Sequence, residues 1–274
     1  ITLVPFLVAG LLIGSVIVPA EHQQPLKFFK MWIFPLIEVA VVVWIVVHVR
    51  AALQKHRHTA GEVNDFFNVL KAVCTSIFPG PLAVFMASEI AVVYYGFFLW
   101  KPRVSPHKEF TYHRSTSTPV LLGTLIFLVF VETAIFHLLL MRWSVLWAWV
   151  LTGLSLYTGI QLLGFIKSIV LRPIIVANNQ LHLRYGILRE VVINRHEIAS
   201  VELIHHEPAE RETTLSPFAR FEGCNVLLRL KEERILHGVY GFNRKFTALT
   251  FFVDDKERFL EQLATMLKTS SSES

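Results

Sequence analysis

Five apolar stretches, near residues 2–19, 31–49, 82–100, 119–141 and 144–166, dominate the chain up to Arg172-Pro173, after which apolar and charged residues alternate. A helix needs about 20 apolar residues to cross the hydrocarbon layer, so each stretch predicts a membrane span. The first is read as a true span rather than a signal peptide, because no small-x-small cleavage site precedes a soluble segment. The expected organisation is an α-helical polytopic bundle of about five spans over 1–171, a soluble β-region over 172–268 and a disordered tail over 269–274. With 53% hydrophobic and 17% charged residues and a mean hydropathy of +0.51, composition argues against a wholly soluble fold, and the lipid bilayer is the first partner implied.

The net charge of +5 fits basic flanks beside anionic headgroups, and no nucleic-acid-binding signature accompanies it. Cys74 and Cys224 stand far apart without CxxC spacing, which argues against a disulfide framework or a thiolate metal site. Between the second and third stretches, Phe66, Phe67, Leu70, Val73, Cys74 and Ile77 fall at helical spacing. They predict an amphipathic interfacial helix within Glu62–Phe78, ended by Pro79-Gly80-Pro81. Orientation follows flanking positive charge. A cytoplasmic C-terminus puts Lys27, Lys30, Lys101, Arg103, Lys108, Arg114, Lys167 and Arg172 inside, against Arg50, Lys55, Arg57, Lys71 and Arg142 outside.

Carboxylates at Glu38, Glu89 and Glu132 lie among apolar neighbours, where lipid tolerates them only with partners. In the orientation above, Glu89 lies about 10 Å below the outer boundary, with Glu132 at similar depth and His137 nearer the surface. His48, the His56-Arg57-His58 run, Thr152 and Ser155 belong to the same side. One reading is a polar cavity in which Glu89, Glu132 and His137 bind a divalent metal (zinc, iron or manganese), relay protons or hold a lipid-like substrate. Against it, Glu132 and His137 point about 140° apart on an ideal helix, and no HExxH motif is present. The other reading is that each glutamate is hydrogen-bonded within a packed bundle. Gly10 and Gly14 form a GxxxG that suits close helix packing, within the bundle or in a homo-oligomer. Trp143, Trp147 and Trp149, with Trp32 and Trp100, read as an interfacial aromatic belt. The loop from Lys101 to Thr118, with His107, Lys108, His113 and Arg114, reads as solvated and basic, next to a helix start at Pro119.

Beyond Pro173, strands are expected at Ile174–Ala177, Leu181–Tyr185, Val191–Asn194, Ser200–Ile204, Asn225–Leu230, Ile235–Tyr240 and Ala248–Val253. A capping-box-like Asp254-Asp255-Lys256-Glu257 then opens a helix with Phe259, Leu260, Leu263, Met266 and Leu267 on one face. The run Asn179-Gln180-Leu181-His182-Leu183-Arg184-Tyr185-Gly186-Ile187, then Val191-Val192-Ile193, then Ile198-Ala199-Ser200-Val201-Glu202, resembles bacterial pleckstrin-homology-like domains attached to membrane helices. The resemblance covers about residues 172–268 and implies a small PH-like barrel that binds a protein partner, in a bacterial inner membrane, without a catalytic residue. The charged insertion His205–Phe221 departs from the pattern and is expected to cover one mouth of the barrel. Three functions are therefore expected: an intramembrane Glu/His site with a cytoplasmic PH-like interaction module, a noncatalytic scaffold whose module recruits partners, or an intramembrane metal-dependent enzyme.

Overall fold

A computed structural model describes residues 65–99, 109–177, 179–204 and 212–268, with Trp32, Ile33, Leu36, Ala40, Val43, Trp44, Val47 and Ala51. Outside the described residues lie the stretch near 2–19 with Gly10 and Gly14, and most of 31–49 with Glu38 and His48. The same holds for the His56-Arg57-His58 run, residues 100–108, residues 205–211 and the tail 269–274. The chain divides between Ala87 and Ser88 into two units, each taken by itself.

In the first unit, helix α1 spans Phe66–Ile77, inside the segment where the sequence spacing predicts a helix. Phe67, Leu70 and Cys74 are fully buried at i, i+3 and i+7, as an amphipathic helix requires. The helix stops as Phe78 turns extended, its N–H donating to the Cys74 carbonyl at 2.8 Å, and Gly80 adopts φ +52° just before Pro81.

Among the described residues, three helices are long and apolar enough to cross a membrane, and they coincide with the third, fourth and fifth predicted spans. Helix α2 spans Pro81–Val93 and continues as a wider π-helical turn over Tyr94–Phe98. Helices α3 (Thr118–Met141) and α4 (Val145–Leu171) form an antiparallel hairpin. Their 24 and 27 residues correspond to about 36 and 40 Å, enough for a hydrocarbon layer of about 30 Å. Most apolar side chains of α3 are exposed, Phe127 and Leu138 among them, a surface suited to lipid rather than water. Trp143, Trp147 and Trp149 are also exposed and cluster at the α3–α4 turn, as an aromatic belt requires.

Helix α4 runs five residues beyond the expected end at 166 because its last turn belongs to the β-region. Ile169 enters that core, the Ser168 hydroxyl accepts the Ile187 N–H at 3.2 Å, and the Arg172 guanidinium donates to the Gly186 carbonyl and to Glu190 at 2.7 Å. Arg172 is buried in this pair, so it drops out of the flanking charge used for orientation. Gly186 has φ +52°, and a Cβ there would lie 2.4 Å from Ser168 Oγ.

The β-region contains strands β1 (Glu109–Phe110), β2 (Ile174–Ala177), β3 (Gln180–Tyr185), β4 (Arg189–Asn194), β5 (Ile198–Leu203), β6 (Thr213–Thr214), β7 (Val226–Gly238) and β8 (Arg244–Phe251). The path runs β1-β2-β3-β4-β7-β8-β6, with β5 on β7; every pair is antiparallel except β6–β8. Asn225–Leu230 and Ile235–Tyr240, expected as two strands, form one. The register of β7 against β8 shifts between Arg229 and Arg234, so the charged Lys231-Glu232-Glu233 is carried as an irregularity instead of a turn.

Part of the presumed loop before α3 also belongs here. Glu109 and Phe110 pair with Ile175 and Ile174, and Asp254 accepts the backbone N–H groups of Arg114 at 3.2 Å and Ser115 at 2.9 Å. The sheet thus draws one strand from upstream of Arg172-Pro173, with the α3–α4 hairpin inserted between β1 and β2. From the His205–Phe221 insertion, Thr213–Thr214 joins the sheet and Leu215 is buried. Helix α5, Lys256–Lys268, starts with Asp255 Oδ1 accepting the Arg258 N–H and buries Phe259 and Leu263 in one core with strand residues, Phe110, Tyr112 and Ile169.

Candidate functional site

Glu89 of α2 is where the membrane helices meet the β-region, so with a cytoplasmic β-region it does not lie about 10 Å below the outer boundary as the sequence spacing suggests. Its Oε2 accepts the Tyr157 hydroxyl at 2.8 Å and the Gln161 amide at 2.8 Å; its Oε1 accepts the Tyr240 hydroxyl at 2.9 Å. Tyr157 and Gln161 are one helical turn apart on α4, so they present a single polar face to α2. The Gln161 amide also donates to the Tyr157 hydroxyl at 2.9 Å, while its carbonyl lies 3.1 Å from the Tyr240 hydroxyl. Every contact on the carboxylate comes from a donor, and all four side chains are used.

Close helix packing brings α2 and α4 together here. A Cβ at Gly164 would lie 2.6 Å from the Val92 carbonyl oxygen, so only glycine permits this approach. One turn further on, Lys167 donates to the Gly96 carbonyl at 3.1 Å.

Tyr240 reaches the site from the turn between β7 and β8. It is a non-glycine residue at φ 57°, flanked by Gly241 at φ +85°, and its backbone N–H donates to the Ser88 hydroxyl at 3.3 Å. Such a conformation persists when surrounding contacts impose it, and here the ring and the backbone are both held by consecutive residues of α2. Burial first, and then the hydrogen bond to Glu89, push the Tyr240 hydroxyl pKa well above its usual range, so it stays a donor at neutral pH.

The other two expected site residues are arranged differently. Glu132 is exposed on α3, with no hydrogen bond or ion pair to another described residue. His137 is clipped to α4, its Nδ1 lying 2.7 Å from the Thr152 hydroxyl and 3.3 Å from the Ala148 carbonyl, with its ring edge-on to Trp149. No hydrogen bond joins Glu89, Glu132 and His137. Among the described residues, no three His, Cys, Asp or Glu side chains are grouped so as to hold a metal ion. Around Glu89 the neighbours are the Tyr157 and Tyr240 hydroxyls and the Gln161 amide, which meet its oxygens as hydrogen-bond donors.

Sequence reasoning singled out Glu89 and Thr152 but missed Ser88, Tyr157, Gln161 and Tyr240. The i, i+4 pair Tyr157 and Gln161 inside an apolar span was a visible signal; Tyr240, 151 residues from Glu89, gave none. Comparison with protein-family models, curated proteins and solved structures finds no match.

Proposed function

We propose that the chain is a noncatalytic membrane scaffold: about five spans carry a PH-like module on the cytoplasmic side of a bacterial inner membrane, and this module recruits a protein partner. The observation that carries the reading is the clamp at Glu89, where one carboxylate is satisfied by donors from α4 and from the β7–β8 turn. A residue that ties a module to its anchor in this way acts in positioning, with three donors converging on its two oxygens. The β-region supports the PH-like assignment through its antiparallel meander β2-β3-β4 and the C-terminal helix α5 closing the core. The surface offered to a partner includes Phe221, which is 69% exposed. Elemental analysis of the purified full chain tests this against the metal-site alternative. Wild type and Glu89→Gln should both carry far less than one transition-metal ion per chain. A stoichiometric metal lost in Glu89→Gln would replace the scaffold with an intramembrane metal site.

A further inference from the structure

A groove of about 600 Å³ opens beside the β7–β8 turn, lined by Leu188, Arg189, Pro217, Val239, Phe242 and Arg244 among others. Arg189 begins β4 and Arg244 begins β8, so the two guanidinium groups flank the end of β7, where Arg189 pairs with Gly238 and Arg244 with Leu236. Neither has an ion-pair partner among the described residues. The nearby carboxylates are engaged elsewhere: Glu190 with Arg172, Glu233 with Lys245, and Glu222 with Tyr185 and Ser216. Arg189 donates to the Thr214 carbonyl at 2.6 Å, which orders its side chain without neutralising it. Burial, and then repulsion from Arg244, make its charged form costlier than in water. Two like charges held beside one groove favour an anion between them, and paired guanidinium forks match phosphate oxygens.

The location decides which phosphate. Tyr240, in the same turn, is bonded to Ser88 and Glu89 of α2, a helix apolar enough to span the membrane. Leu162 and Ile166 of α4 also pack against the β-core, so the lipid-facing length of the helices ends near the level of this turn. Phe242 beside it is 78% exposed. A groove with cationic walls and a projecting aromatic ring, set against a membrane helix, suits a ligand with a charged head and an apolar body.

We propose that this groove binds one anionic phospholipid, with Arg189 and Arg244 on the headgroup phosphate and Phe242 against the apolar part. The inference goes beyond the scaffold reading and stands without it.

Native mass spectrometry of the full chain, titrated with phosphatidylglycerol or phosphatidylcholine in detergent, tests it. Wild type should retain one phosphatidylglycerol with about tenfold or greater preference over phosphatidylcholine, and millimolar inorganic phosphate should not displace it. The pair Arg189→Gln and Arg244→Gln should remove the preference, and Arg244→Lys should keep most of it. Phe242→Ala, an exposed substitution that leaves both charges, should weaken retention several-fold and covers the case in which the double variant misfolds. Equal binding of the two lipids, an unchanged preference in the double variant, unchanged retention in Phe242→Ala, or displacement by inorganic phosphate would each overturn the proposal.

Discussion

At the scale of single residues, three positions are held by particular neighbours. Glu89 is tolerated in an apolar helix because Tyr157, Gln161 and Tyr240 supply its donors. Gly186 is held by a left-handed φ and by the Ser168 hydroxyl where its Cβ would be; Gly186→Ala should cost about 2 kcal/mol or more, read from thermal unfolding of the full chain. Asp254 ties down the segment before α3. Burial alone would raise its pKa, but hydrogen bonds from the Thr111 side chain and from Ser115 and Arg114 outweigh this and hold it below the usual carboxylate range. A depressed folded pKa means the stabilisation is full above the unfolded value of about 4 and is lost as pH falls through the folded one. The protection of the Arg114 and Ser115 amides, their exchange rate relative to the unfolded chain at the same pH, should therefore be high at neutral pH and fall in acid, and Asp254→Asn should remove that pH dependence. Glu89 was legible in the sequence as an anomaly, since a carboxylate among apolar residues is conspicuous. Arg172 was not legible, because a basic residue at a span end reads as a headgroup contact until its buried partner Glu190 is seen.

At the scale of elements, α4 links the membrane to the β-core, and its glycine at 164 fixes how closely α2 approaches. Gly164→Ala forces a Cβ against the Val92 backbone, which cannot move as a side chain can, so α2 and α4 must separate. The expected loss is about 1–3 kcal/mol, with faster amide exchange in the Tyr94–Phe98 turn as the readout. The β-region is assembled from two pieces of chain, since β1 lies before α3 and Phe110 packs edge-on against Phe259 at 5.2 Å. A fragment of residues 172–268 alone should therefore melt well below one in which residues 109–117 precede it through a flexible linker in place of the α3–α4 hairpin. Equal melting temperatures would show that β1 is dispensable. A period of two located β2, β3, β4, β5 and β8 from sequence, and helical spacing located α5, because each is long enough to show a period. The two-residue strands β1 and β6 carry none, and the irregular β7 resembled two strands because its middle residues are charged and exposed.

At the scale of the whole molecule, membrane helices and a β-module are joined where the β7–β8 turn meets α2 and α4. A cytoplasmic C-terminus predicts that a cysteine at Ser271 resists a membrane-impermeant thiol reagent in intact cells; labelling from outside would reverse the orientation. The three described spans were readable as hydrophobic length, but the clamp was not, because a hydrogen bond between residues 89 and 240 has no local sequence signature. A double-mutant cycle between Glu89→Leu and Tyr240→Phe in the full chain measures that clamp. The readout is the opening free energy of residues 238–242 from amide exchange, with Ser88 left intact so that the backbone contact of Tyr240 is common to all four proteins. The prediction is a coupling of about 1 kcal/mol or more, as for a side-chain hydrogen bond withdrawn from water. Effects that add to within about 0.5 kcal/mol would mean that Glu89 and Tyr240 do not hold the module to its helices.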